Sequence, residues 1–286
     1  MMKEITAAVI AIACLASPAV ASGHGPVFGA ATPTLGRGGW SLDQAWTTRI
    51  GEDAAEQQML KTMIGFGITE TLQVSASFPL AMGGDGLTPS RMMSAMSNDR
   101  ELEALGAWRF QRRTIGIGGR QETTAYVGGT VPFESRRGGI AAGPSLEAGI
   151  ATGYASRAHY FWIGGGVQRY ADRGGATDRP DRVGDSRLVT IVYGYRPPPL
   201  RTEAGRPDLR FFVEATAEDR GAARIGGADA GAGARTVFVG PTTLLLHRAF
   251  GVEGGVLFPV VQRGDAAGSR ERARVAVNVS YFFWLK

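Results

Sequence analysis

Ionisable side chains recur at even spacings along this chain, and even spacing brings side chains to one face of a β-strand. Glu101 and Glu103 form such a pair, and Glu214 and Glu218 form another beside Arg210. Two carboxylates on one face could work as a general acid and base. They could equally line an aqueous path, or pair with arginines in a structural network. The residue types alone leave these alternatives open.

Further ionisable residues share the polar side of alternating segments. Seven of the candidates are acidic and five are basic, so the predicted face is mixed in charge. They are Asp43, Arg49, Lys61, Glu101, Glu103, Arg109, Glu147, Arg210, Glu214, Glu218, Glu253 and Arg274. A mixed face favours neither anions nor cations strongly. These twelve residues are the predicted lumen-lining candidates.

Histidine is scarce, which argues against hydrolytic chemistry. The chain has only His24, His159 and His247, and no serine, acid and histidine converge as a triad requires. Motifs for nucleotides and zinc are absent, and the glycine-rich stretch 116–119 lacks the strand–helix context of a phosphate cradle. Paired carboxylates on one strand more often line a lumen. The sequence therefore predicts no enzyme, no catalytic residue and no cofactor.

The amino terminus predicts export. Lys3 precedes an apolar stretch over 7–16, and residues 19–21 read Ala-Val-Ala, a small-x-small cleavage site. Cleavage there would leave His24 as the third residue. A free amine, two amides and a third-position imidazole can hold square-planar Cu(II) or Ni(II). Because this pattern also arises by chance in exported chains, His24 is a metal candidate on the pattern alone.

Apolar and polar residues alternate with a period of two along the rest of the chain. Near the carboxyl end, Val275, Val277 and Val279 alternate with Ala276 and Asn278, so one face is apolar. Twelve segments are strand-like, with the length of about ten residues that crosses a bilayer when tilted. They are 40–50, 60–68, 72–80, 101–111, 121–132, 145–155, 158–170, 186–196, 208–218, 235–246, 252–262 and 275–283.

The connections between these segments are alternately short and long. Residues 69–70 and 156–157 are tight turns, whereas 81–100 and 171–185 are long, polar and glycine-rich. Short periplasmic turns and longer outer loops are typical of outer-membrane barrels. The sequence therefore predicts an all-β chain: a single transmembrane antiparallel barrel of about twelve strands with both termini in the periplasm. The expected domains are a signal peptide over 1–21, a periplasmic amino-terminal segment over 22–38 and the barrel over 39–286.

Composition excludes other classes of protein. No apolar run after residue 21 approaches the ~20 residues of a membrane-spanning helix, and 42 glycines argue against a helical bundle. The formal net charge is +5, but the arginines are scattered along the chain, which argues against a nucleic-acid partner. A soluble β-sandwich would also alternate, but it needs no strands of this length.

Aromatic residues gather at the strand ends that lie on the side of the termini. Amphipathic rings prefer membrane interfaces, so this set predicts a girdle. It comprises Trp40, Phe66, Trp108, Phe110, Tyr154, Tyr160, Trp162, Tyr193, Tyr195, Phe211, Tyr281 and Phe283. A thinner girdle at the other end comprises Trp46, Phe78, Phe133 and Phe258.

Four stretches resemble a known family. They are 24–29 (HGPVFG), 67–74 (GITETLQV), 193–198 (YGYRPP) and 280–283 (SYFF). Together they look like an uncharacterised family of Gram-negative outer-membrane barrels that is similar to the phenol-degradation meta-pathway "transporter" barrels. The resemblance covers most of the mature chain and implies an outer-membrane location and transport, with no agreed substrate. Such barrels usually end on an aromatic residue, whereas 284–286 read Trp-Leu-Lys here.

These observations predict an outer-membrane channel or transporter for small solutes. The alternative is a structural or accessory outer-membrane barrel with a plugged lumen, the partner of an efflux or assembly system. The expected contacts are outer-membrane lipid, the barrel insertion machinery and small solutes. We expect no nucleic-acid partner.

Overall fold

A computed structural model describes most of the chain. Its described residues are 25–51, 57–81, 101–132, 136–137, 140–141, 143–172, 181–200, 207–230, 233–264 and 270–285, with the backbone of 16–18. Regular structure in these ranges is almost entirely β-strand, and a short 3-10 helix spans Pro198–Leu200. No helix in the described ranges is long and apolar enough to cross a membrane.

Twelve antiparallel strands form a closed barrel. They are β1 Gly39–Gly51, β2 Gln57–Gly67, β3 Leu72–Ala81, β4 Glu101–Ile115, β5 Gly119–Pro132, β6 Ser145–Ala155, β7 His159–Tyr170, β8 Ser186–Tyr195, β9 Asp208–Arg220, β10 Ala234–His247, β11 Phe250–Arg263 and β12 Glu271–Leu285. Each strand pairs with its neighbour in sequence, and β12 pairs with β1 to close the wall. The predicted all-β barrel is confirmed, and the periplasmic position of both termini stays a prediction.

Several short strands lie outside the twelve. Arg136–Arg137 pairs with Ile140–Ala141, and Ala223–Ile225 pairs with Ala228–Ala230. Ala16–Pro18, which the sequence assigns to a signal peptide, runs beside the last residues of β12. The signal peptide and the domain boundaries stay predictions.

The two faces of the wall differ in polarity. In β8, Ile191 and Tyr193 are exposed, whereas Thr190 and Val192 are buried. In a closed barrel the exposed face is the outer one, so the wall presents large apolar side chains outward. Such side chains are exposed on most strands, far beyond what a soluble surface carries. The outer surface is that of a barrel that spans a membrane.

The turn between β4 and β5 lies further from the strand centres than the sequence predicts. Gly116 and Gly118 have φ angles of 62° and 76°, in the left-handed region that glycine adopts without strain. The two strands therefore continue to Ile115 and from Gly119, beyond the predicted segments 101–111 and 121–132.

Tyr160 and Trp162 do not belong to the outer aromatic girdle. Both are buried and pack with Val192 and Phe212 on the inner side of the wall. Phe161 between them is exposed instead. Because β7 carries aromatic residues on both faces, a period of two could not identify its inner face.

Residues 25–35 precede β1 and lie inside the barrel; we call them the inner segment. Val27, Phe28 and Leu35 are buried among wall residues. At its end the chain turns into β1, where the Gly38 N–H donates to the Gly67 carbonyl over 2.7 Å. The sequence predicts a periplasmic segment over 22–38 outside the barrel domain. That boundary stays a prediction, and the structure packs residues 25–35 against the inner wall, where their amides and apolar side chains have partners.

Candidate functional site

The structure places the twelve predicted lumen-lining residues on the inner side of the wall. Nine of them are buried: Asp43, Arg49, Lys61, Glu101, Glu103, Glu147, Glu214, Glu253 and Arg274. Arg109, Arg210 and Glu218 are partly buried. They form separate clusters rather than one ring, and most are in contact with a partner of opposite charge or with backbone amides. Whether they line a solute path stays a prediction.

Glu214 holds the inner segment through its backbone. The N–H groups of Val27, Phe28 and Gly29 donate to the Glu214 carboxylate over 2.7–2.8 Å, and the Thr242 hydroxyl donates to it as well. Glu214 is 0% exposed, so these donors replace water around a buried negative charge. Hydrogen bonds from several amides to one carboxylate are strong, and they fix the segment on β9.

Apolar contacts fix the same part of the inner segment. Val27 and Phe28 form one buried cluster with Phe238 on β10, Leu257 on β11 and Ala276 on β12. The Gly29 backbone also lies close to the wall: a Cβ at this glycine would come within 2.5 Å of Val192 Cγ2. The early inner segment is therefore packed against five strands, β8 to β12.

The rest of the inner segment crosses to the opposite wall. The Thr32 hydroxyl donates to Glu122 on β5, and the Thr32 carbonyl accepts from the Thr124 hydroxyl over 2.6 Å. The Leu35 N–H donates to the Gln73 side-chain oxygen on β3 over 2.7 Å. The segment thus spans the interior from one side of the wall to the other.

A second cluster closes the seam between β12 and β1. Arg274 binds Glu218 over 2.7 Å and Glu271 over 2.6 Å, and Arg49 binds Glu271 over 3.2 Å. Arg274 and Arg49 lie directly opposite each other in the register, and Glu271 lies between their charges. Sequence reasoning missed Glu271, because it precedes the alternating run of the last strand.

A third cluster lies on the wall formed by β2 to β6. Lys61 Nζ is 3.1 Å from Glu103 Oε2, which also accepts from the Ser77 hydroxyl. Glu147 is close enough to both Lys61 and Glu103 to interact with them electrostatically. Its side chain is 2% exposed, yet in the described part of the chain neither carboxylate oxygen has a hydrogen-bond partner.

Two further clusters use acids that the sequence analysis did not select. Glu122 lies within 3.4–3.6 Å of Arg109, Arg112 and Arg120 near the turn between β4 and β5. Asp208 binds Arg196 and Arg210, each over 2.7 Å, at the same end of the barrel. Both acids lie at or near strand ends, where alternation is too short to assign a face. Of their arginine partners, the sequence predicted only Arg109 and Arg210.

The histidines do not form a metal or catalytic centre in the described part of the chain. The His159 ring is 2.9 Å from the Tyr193 hydroxyl, with both side chains exposed on the outer face. No group of three or more histidine, cysteine or acidic side chains there could hold a metal ion. The candidate His24 lies outside the described residues, so its metal role stays a prediction.

Known structures share this fold. The COG4313 outer membrane channel from Pseudomonas putida F1 is 12% identical with a TM-score of 0.62, over 87% of this chain and 97% of that chain. The NanC porin is 9% identical with a TM-score of 0.51, over 84% of this chain and 98% of that chain. No family model and no curated protein matches the sequence. The fold and the apolar outer surface identify the chain as a barrel of the bacterial outer membrane.

Proposed function

We propose that the protein is a non-enzymatic outer-membrane channel for small solutes whose aperture is set by the inner segment. The observation that carries this is the clamp of Glu214 on the amides of Val27, Phe28 and Gly29. A barrel of eight strands is filled by its own side chains, whereas sixteen leave a water channel. A barrel of twelve strands has room for a chain segment inside it. Ion pairs of the inner wall surround the space that the inner segment does not fill.

The charged clusters support passage of polar solutes. The described inner wall carries carboxylates and arginines on several strands, and fixed charges in a narrow passage bias which ion permeates. Among the described residues, no group donates a hydrogen bond to the Glu147 carboxylate oxygens. Lys61 is paired with Glu103, and three arginines surround Glu122 on the same wall, so the described β2 to β6 wall is mixed in charge. We infer no strong preference for either cations or anions.

A second candidate function is an accessory barrel with a permanently plugged lumen. The buried contacts of Phe28 with Phe238 and Leu257 favour it, because they tie the inner segment to the wall. The two candidate functions differ in whether ions can pass the inner segment through the barrel.

Conductance in planar bilayers tests the proposal. Glu214→Gln removes the charge that attracts three amides and points an NH₂ group at them, so the inner segment should loosen and single-channel conductance should rise. The matched control is Glu147→Gln, which neutralises a buried interior carboxylate that makes no hydrogen bond to the segment. This control should leave single-channel conductance similar to that of the wild type.

Two outcomes would contradict the channel. Folded wild-type protein and folded Glu214→Gln could both insert without measurable conductance, which would favour the plugged accessory barrel. Alternatively, both variants could change conductance equally, which would show that interior charge rather than the clamp controls the aperture.

A further inference from the structure

A row of charged side chains crosses four strands on the outer face of the barrel. Arg187 on β8 lies directly opposite Asp219 on β9, Asp219 lies opposite Arg235 on β10, and Arg235 lies opposite Arg263 on β11. Residues opposite each other in an antiparallel pair point to the same face. Arg169, near the end of β7, has the same outward orientation. We call Arg187, Asp219, Arg235 and Arg263 the outer row.

The row lies at the edge of the lipid-facing surface. Two residues further towards the strand centres, the same face carries Val189 on β8 and Val261 on β11, both exposed. Every member of the row is the first or second residue from a strand end, at the end of the barrel away from Gly39 and Leu285. This end is called the loop end. The row thus lies where the apolar surface gives way to the long loops.

Among the described strand residues, the outer row lies on one side of the barrel. On β4, β5 and β6 the corresponding outward positions at the loop end are Leu102, Val131 and Leu146, which are 42%, 59% and 75% exposed. Among the described residues, the edge of the lipid-facing surface is therefore charged on β8 to β11 and apolar on β4 to β6.

A cleft adjoins the row. Arg187 and Asp219 belong to its lining, together with Arg182, Asp185, Arg224 and Asp229. Its volume is about 380 Å³. Guanidinium groups bind phosphate oxygens, whereas carboxylates accept hydrogen bonds from hydroxyl groups. Arg182 is already paired with Asp185, and Arg224 with Asp229, so Arg187 is the lining guanidinium that a phosphate would contact first. The carboxylates suit the hydroxyl groups of a phosphorylated sugar.

We propose that the outer row and the adjoining cleft bind the phosphate-bearing sugar headgroup of a membrane glycolipid. The headgroup of a lipid lies just beyond the apolar surface, which is where Arg187 and Arg263 project. With both termini in the periplasm, as the sequence predicts, the loop end faces the outer leaflet, where phosphorylated glycolipid is the main lipid. The acyl chains would then lie on the exposed apolar side chains below the row.

The three arginines of the outer row differ in how much of their charge is free to bind a phosphate. Arg235 is 2.9 Å from Asp219, so part of its charge is already compensated. In the described part of the chain, neither Arg187 nor Arg263 has an ion-pair partner. These two should therefore dominate phosphate binding, and Asp219 should weaken it by repulsion.

The test uses the full protein in nanodiscs of phosphatidylcholine, with diphosphorylated lipid A added in increasing fraction. Native mass spectrometry counts bound lipid A, and dephosphorylated lipid A serves as the control lipid. The double variant Arg187→Gln, Arg263→Gln should bind lipid A about 25-fold more weakly, at roughly fivefold per arginine near a membrane surface. The matched double variant Arg113→Gln, Arg157→Gln removes two exposed arginines at the opposite end and should bind as the wild type does.

Asp219→Asn provides an independent test, because it should strengthen binding about fivefold by removing the repulsive charge. It decides the question even if the double arginine variant fails to fold. Three results would overturn the proposal: equal binding by both double variants, equal binding of dephosphorylated lipid A, or displacement of lipid A by millimolar inorganic phosphate. The last would show a site for the free ion rather than for a lipid.

Discussion

At the scale of single residues, two neighbouring carboxylates inside the barrel differ in their contacts. Glu103 binds Lys61 and Ser77, whereas Glu147 makes no hydrogen bond to any described residue. Removing one member of a buried ion pair leaves the other charge uncompensated, which costs more than the pair contributes. Removing a buried carboxylate that has no partner removes a desolvation cost instead. The two glutamates should therefore respond in opposite ways to the same substitution.

We expect Glu103→Gln to lower the free energy of unfolding by about 3 kcal/mol, because Lys61 loses its nearest counter-charge. Glu147→Gln should leave that free energy unchanged or raise it. Urea titrations of protein folded into lipid vesicles, followed by tryptophan fluorescence, measure both values. Greater destabilisation by Glu147→Gln than by Glu103→Gln would show that Glu147 is the true partner of Lys61.

At the scale of elements, the sequence predicts the twelve strands of the wall better than it predicts the position of the inner segment. Within each strand, apolar and polar residues alternate with a period of two. This pattern indicates a half-buried strand without knowledge of the neighbouring strands. The inner segment has no such signal: it is short, it contains prolines and glycines, and its residues contact partners far away along the chain. Phe28 and Glu214 are separated by 186 positions, so their hydrogen bond follows only from the closed wall. Tyr160 shows the same limit, since its inward direction depends on neighbours from other strands.

A methyl group at Gly29 should displace the inner segment without changing any charge. A Cβ there would lie 2.5 Å from Val192 Cγ2 and 3.4 Å from Glu214 Oε2, closer to Val192 than real contacts allow. We expect Gly29→Ala to raise single-channel conductance and to make the segment more susceptible to proteases. Limited proteolysis of folded protein, read by mass spectrometry, checks the second point.

The control for this variant is Gly106→Ala on β4, where the nearest atom to an added Cβ is 3.6 Å away. It should behave as the wild type does. If Gly29→Ala and Gly106→Ala are both indistinguishable from the wild type, the inner segment is not held in the way described.

At the scale of the whole molecule, the register of the wall decides which residues meet lipid. Val277 is 41% exposed, whereas Asn278 is 7% exposed and donates to the Ser280 hydroxyl. This orientation agrees with the alternation of the last strand in the sequence. It also shows that Asn278 belongs to a packed polar network, so a large side chain there would disturb the interior.

We expect Val277→Arg to destabilise the inserted barrel by roughly 2–4 kcal/mol, because the cation would face the middle of the bilayer. Val277→Leu is the control and should fold as the wild type does. Gel mobility of unheated and heated samples distinguishes folded from unfolded barrels and gives the folded fraction in vesicles. Normal folding of Val277→Arg would mean that this position does not face the hydrocarbon core.

The inner segment lies upstream of β1 and is enclosed by strands that are synthesised after it, so the wall must close around its own amino-terminal end. Gly25, the first residue of the segment, is already buried. A bulky tag fused ahead of it would compete with the segment for the same space. Labels for imaging or purification therefore belong elsewhere, and the exposed turn at Gly116 and Gly118 offers a place that disturbs neither the wall nor its contents.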